Sequence, residues 1–183
     1  MAVLVVAGSA KDVGKTSLIC GMIPVLSEFP WVAVKITSHA HGKPEPLWEE
    51  TRFGQETDTA RFLAAGARRA FLVSAEPDEL PVRLRALRTM VEPDTHWIFE
   101  SNQSLFPFEP DICIAVVGAN AEAKASFESM RERADAVVTS RGAAASQVIR
   151  KAGQRVFRLA AFDRIPSEMI AWMRETLHVA EER

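Results

Sequence analysis

The chain has 183 residues, 48% of them hydrophobic and 25% charged, with a formal net charge of -2. At roughly 100 to 200 residues per domain, this suits one domain, 1–183, with a substantial core and is short for two. Neither disorder nor a general affinity for nucleic acid follows from this balance, so partners must be argued from sites.

An apolar, strand-like run, Val3 to Ala7, begins almost at once, with no basic leader and no signal-peptide pattern, and a cytoplasmic protein is expected. No apolar segment reaches the ~18 residues needed to span a bilayer, so no membrane partner is expected. The run leads into "GSAKDVGKTS", followed by a helical pattern over Lys15 to Leu26. Glycine-rich turns that enter a helix N-terminus offer convergent N–H donors, a cation and no obstructing Cβ, which is what a phosphate needs. Gly8, Ser9, Asp12, Val13, Gly14, Lys15, Thr16 and Ser17 form the expected cradle. Gly14 admits the phosphates closely, Lys15 reaches the β and γ phosphates, and Thr16 offers its hydroxyl to Mg²⁺. The first Gly of the common G-x-x-x-x-G-K-[ST] pattern falls on Ser9, and Gly8 sits one residue earlier.

A second strand-like run, Val32 to Ile36, precedes Thr37 to Thr57, which has no clear period and reads as a long functional loop. His39 and His41 fall in it, and with no third ligand spaced to join them they read as loop histidines rather than a zinc site. Asp58 opens a helical pattern running to Ala65 and is open to two readings, a helix N-cap or a group that positions metal or water. Strand-like Ala70 to Val73 and helical Leu80 to Met90 follow, then Trp97 to Phe99, ending in Glu100. A carboxylate at a strand end opposite a phosphate loop is placed to fix the waters on Mg²⁺, so Thr16, Glu100 and Asp58 are the metal candidates and Lys15, Asp58 and Glu100 the catalytic ones.

"SNQSLFPFEP", Ser101 to Pro110, interrupts the rhythm with side chains that dock either on a partner or on the protein itself. Beyond it, strands are expected at Ile112 to Val117, Ala136 to Val138 and Val156 to Leu159, and helices at Glu122 to Arg133, Ala143 to Lys151 and Ser167 to Val179. Strands alternating with helices imply βαβ crossovers, hence a three-layer α/β/α sandwich around a mainly parallel sheet, the P-loop NTPase architecture. Cys20 and Cys113 have no CxxC partner and read as small buried hydrophobes. Trp48, Trp97 and Trp172 read as packing residues, and no spacing argument selects an arginine finger from Arg52, Arg61 and Arg141.

The early glycine resembles the spacing of SIMIBI-class P-loop proteins, which include dethiobiotin synthetase and the MobB-type molybdopterin-guanine dinucleotide biosynthesis proteins. "VVAGSAKDVGKTSLI", "VAVKITSHAHG" and "GQETDTARFLAAGARRAFLVSA" together resemble the opening half of the MobB family, with Ala65-Gly66-Ala67 matching its AGA step. The resemblance covers Val3 to Asn102 and implies a homodimeric GTP-binding protein with slow hydrolysis. It would assist molybdenum cofactor biosynthesis through a partner protein of that pathway. Departures are Ser101-Asn102 where the family has Gly after the acidic residue, and "VVTSRG" (Val137 to Gly142) without the Asp that would bond guanine.

Two other classes stay open. A dethiobiotin-synthetase-like ATP-dependent ligase or small-molecule kinase shares the phosphate loop and a lysine at the end of the second strand, here Lys35, though Ile36 follows where that family has Pro. A nucleotide-dependent switch would instead order Thr37 to Thr57 around the γ-phosphate.

Overall fold

The computed structural model describes residues 1–38, 45–103, 105, 107–118, 125–140 and 153–181. In chain order its elements are β1 (Val3–Gly8), α1 (Lys15–Val25), β2 (Trp31–Thr37), β3 (Leu47–Glu50), α2 (Asp58–Ala64) and β4 (Arg69–Ser74). They continue as α3 (Leu80–Thr89), β5 (His96–Glu100), β6 (Ile112–Val117), α4 (Ala125–Arg133), β7 (Ala136–Ser140), β8 (Arg155–Leu159) and α5 (Ser167–Glu181). The strands form one sheet ordered β3-β4-β2-β5-β1-β6-β7-β8. Among the described strands only β3 pairs antiparallel, with β4, and the remaining ladders are parallel.

Alternation along each strand divides the core in two. Leu4 and Val6 of β1 face the layer of α1, α2 and α5, whereas Val3, Val5 and Ala7 face α3 and α4. Every residue of β1 is buried, as a parallel strand covered on both faces requires. Each fully buried Val, Leu or Ile contributes about 1.5–3 kcal/mol, so the central strands fix the register firmly. The chain leaves β1 for β2 on one side, while β5 to β6 crosses to the other. The ends of β1, β5 and β6 therefore meet where an open α/β sheet reverses direction, the usual place for a ligand.

The expected strands and helices within the described residues are present. One correction concerns Thr37 to Thr57, which is not a continuous loop: Leu47–Glu50 is an edge strand. Its Glu50 is buried and accepts from the N–H groups of Thr51 and Arg52, each 3.2 Å away, and from the hydroxyls of Thr57 and Thr59. This carboxylate folds the chain back toward α2, a role that the pattern of apolar residues does not reveal. The described residues of Ser101 to Pro110 dock on the protein itself, with Leu105 and Phe108 buried and the Phe108 ring 4.9 Å from that of Trp97. His39, His41, Arg141 and the helix expected over Ala143 to Lys151 lie outside the described residues.

Candidate functional site

The loop between β1 and α1 turns on two residues with positive φ, Asp12 at 58° and Gly14 at 101°. A Cβ on Gly14 would overlap the Phe162 ring, so conformation and space both call for glycine there. Gly14 caps α1 without any side-chain hydrogen bond to the first turn. The leading N–H groups of that helix have no partner within it, and the positive end of its dipole points the same way, an arrangement chemically suited to an anion.

Both seams of the loop are fastened. Asn102, just past β5, accepts from the Gly8 N–H through Oδ1 and donates to the Gly8 carbonyl through Nδ2, each at 2.8 Å. On the other side the Ser9 hydroxyl, in a residue only 2% exposed, accepts from the Gly118 N–H at 3.1 Å. Lys15 folds over the loop, its ammonium 3.0 Å from the Ala10 carbonyl and its stem against Gly8. Burial pushes the Lys15 pKa down, opposed by the charge of Glu100.

Strand register builds the charged part of the site. Lys35 and Glu100 are Cα partners on β2 and β5, and alternation turns both toward the α1 and α2 layer. The Lys35 ammonium bonds Asp58 Oδ2 and lies 3.2 Å from Glu100 Oε1. Thr16 Oγ1 donates to Glu100 Oε2 at 2.7 Å. Burial opposes the charge on Lys35, but the attraction of Glu100 and Asp58 outweighs it and holds the pKa above its ordinary value. Burial likewise works against the Asp58 carboxylate, and the bond and charge of Lys35, with the nearby Arg61, hold it below the usual range.

Asp58 does not cap α2. Thr57 does so, its hydroxyl accepting from the Ala60 N–H at 3.1 Å, which leaves Asp58 in the first turn free to face Lys35. Arg61, one turn on, stands 3.6 Å from Asp58 Oδ1 and donates to the Ser17 hydroxyl at 3.2 Å. It borders a cleft of about 450 Å³ between α1, α2 and the β8–α5 connection, with Cys20, Phe162 and Asp163 on its other walls.

The structure thus brings together Lys15, Thr16, Asp58 and Glu100, all named as candidates from the sequence, and places Lys35, Arg61 and Asn102 in contact with the same group and loop. Lys35 was legible only as a strand-end lysine, and Arg61 had no spacing signal. Lys11 is exposed, as a solvated lysine would be. Burial raises the Cys20 thiol to about 11 and Cys113 to about 12, so both cysteines are unreactive near neutrality.

Thr16 and Glu100 suit Mg²⁺, which favours one or two protein oxygens plus water and phosphate over an all-protein cage. Among the described residues no three His, Cys, Asp or Glu side chains converge on a metal position. None of the described helices is long and apolar enough to cross a membrane.

No protein-family model matches the chain, and no curated protein matches it in sequence. Its fold is similar to that of LpxK from Aquifex aeolicus, solved in complex with ATP, with a TM-score of 0.55 and 15% identity over 86% of this chain. The chain spans about half of that protein, 53%. What the two share is the fold, a mainly parallel sheet between helical layers.

Proposed function

We propose that this protein binds a magnesium nucleoside triphosphate at the Gly14-Lys15-Thr16 turn and acts on its terminal phosphate. The observation that carries this reading is the 2.7 Å contact between Thr16 and Glu100 beside the uncapped start of α1. A hydroxyl and a buried carboxylate meet there where the triphosphate would bring its metal.

In this reading Lys15 leaves the Ala10 carbonyl for the β and γ phosphates. Thr16 holds Mg²⁺ directly, and Glu100 orders the waters around it. Asp58 and Lys35 line the side from which an attacking water or acceptor approaches the γ-phosphate. The cleft beyond Ser17 takes the nucleoside, since Thr16 and Glu100 mark the opposite, terminal-phosphate end of the chain of phosphates. Catalysis is positioning and charge stabilisation, so unaided hydrolysis is slow.

GTP is the nucleotide favoured by the MobB-like sequence features, and with it a role as a homodimeric accessory to molybdenum cofactor biosynthesis. Lys35 at the end of β2, and ATP in the LpxK structure, favour the second reading, an ATP-dependent kinase or ligase.

Calorimetric titration with Mg-GTP, Mg-ATP and their diphosphates, beside Lys15→Ala, tests this. Binding of a triphosphate that disappears in the variant supports the assignment, and the preferred base chooses between the two readings. Failure of every nucleotide to bind overturns it.

A further inference from the structure

The space among Thr16, Asp58 and Glu100 already holds a positive charge. Lys35 bonds Asp58 and lies 3.2 Å from Glu100, whose side chain is only 6% exposed. It arrives there through backbone register, opposite Glu100 on the neighbouring strand, so its place does not depend on a mobile loop. We infer that Lys35 is a resident counter-cation that keeps divalent metal out of this carboxylate pair until a nucleotide brings it. The inference rests on the nucleotide-binding reading of the same site and adds an order to its binding steps.

The reason is electrostatic. Two carboxylates this close, with a hydroxyl beside them, attract a dication. The ammonium neutralises one charge and occupies the oxygens that would face the metal. Free Mg²⁺ entering alone would have to expel the ammonium, or leave it half-buried and unpaired next to a dication, and an uncompensated buried charge is strongly unfavourable. A nucleoside triphosphate changes the balance, because its γ-phosphate offers Lys35 another anion at the moment the metal arrives. Glu100 is then released to the metal's waters.

Mn²⁺ binding followed by electron paramagnetic resonance reads this directly and independently of catalysis, with no nucleotide in the comparison of variants. An opposite charge at this range changes a carboxylate's affinity for a proton by roughly ten- to a thousandfold. Lys35→Met should therefore bind Mn²⁺ at least about tenfold more tightly than the native protein, by the same charge argument. A folded Lys35→Met protein that binds Mn²⁺ no better than the native one overturns the inference. So does native protein that holds Mn²⁺ as tightly without nucleotide as with it.

If circular dichroism shows that Lys35→Met does not fold, Lys35→Met/Asp58→Asn, which removes one charge of each sign, is compared with Asp58→Asn alone. Tighter Mn²⁺ binding by the double variant is expected, and equal binding overturns the inference. The variant titrations contain no nucleotide, so they stand even if the native protein binds no triphosphate and the nucleotide reading fails.

Discussion

Asn102 holds Gly8 by both backbone groups, donating to its carbonyl and accepting from its N–H at 2.8 Å each, as a strand neighbour would. A single side chain thereby extends the sheet one step past β5 and fixes the point where the phosphate loop leaves β1. Asn102→Ala leaves two backbone groups without these partners and should cost about 1–3 kcal/mol. Asn102→Asp can still accept but cannot donate, and should be the worse of the two for triphosphate affinity. Chemical denaturation and calorimetry of both variants check this.

Gly14→Ala should abolish triphosphate binding, since a positive φ and the Phe162 ring both oppose a Cβ there. Pairing it with Phe162→Ala relieves the crowding but not the backbone conformation, so affinity should stay low in the double variant. Titration of the two proteins separates these causes.

Glu100→Gln keeps the shape of a buried side chain while removing the charge that faces Thr16 and Lys35. Mg²⁺-dependent hydrolysis should fall by about 10–100-fold, the usual cost of losing an outer partner of a metal site. Activity assayed across a Mg²⁺ series is the measurement, and an unchanged Mg²⁺ dependence would remove Glu100 from the metal's surroundings.

Phe162→Ala should weaken a nucleoside triphosphate by about tenfold or more if the ring stacks on the base, a contact of about 1–3 kcal/mol. Tripolyphosphate has no base to stack and should bind the variant as it binds the native protein. Equal weakening of both ligands would place the nucleoside elsewhere.

The edge strand gives a pH dependence. Arg69 binds the Glu49 carboxylate through two N–H groups at 2.7 and 2.8 Å, and these bonds hold the Glu49 pKa below its ordinary 4.5. A depressed carboxyl contributes stability that is fully present above its unfolded pKa and is lost as pH falls through the folded one. Thermal denaturation between neutrality and pH 3 should show a smaller acid-side loss in Glu49→Gln than in the native protein.

The central strands were legible because residues buried on two faces leave unbroken Val, Ile and Phe runs, and the phosphate loop because glycine and lysine have so few substitutes there. Glu100 was legible as the end of such a run. β3 was not, since Leu47-Trp48-Glu49-Glu50 is short and half charged, and Glu50 finds its partners in Thr57 and Thr59, several residues along the chain. Lys35 and Arg61 were visible as a strand-end lysine and an unplaced arginine, but their contacts were not, for another reason. Their meaning lies in register and helix placement, which bring Lys35 beside Glu100, 65 positions away, and Arg61 beside Ser17, 44 positions away.

The two fastened seams of the phosphate loop, at Gly8 and at Ser9, bear on the thermodynamics of association. A loop that orders only around its ligand charges the ordering entropy to each binding event. Here the described loop is tied to the ends of two core strands during folding, so on the proposed reading that entropy would already be spent before a phosphate arrived. The favourable contacts are then left to appear as affinity.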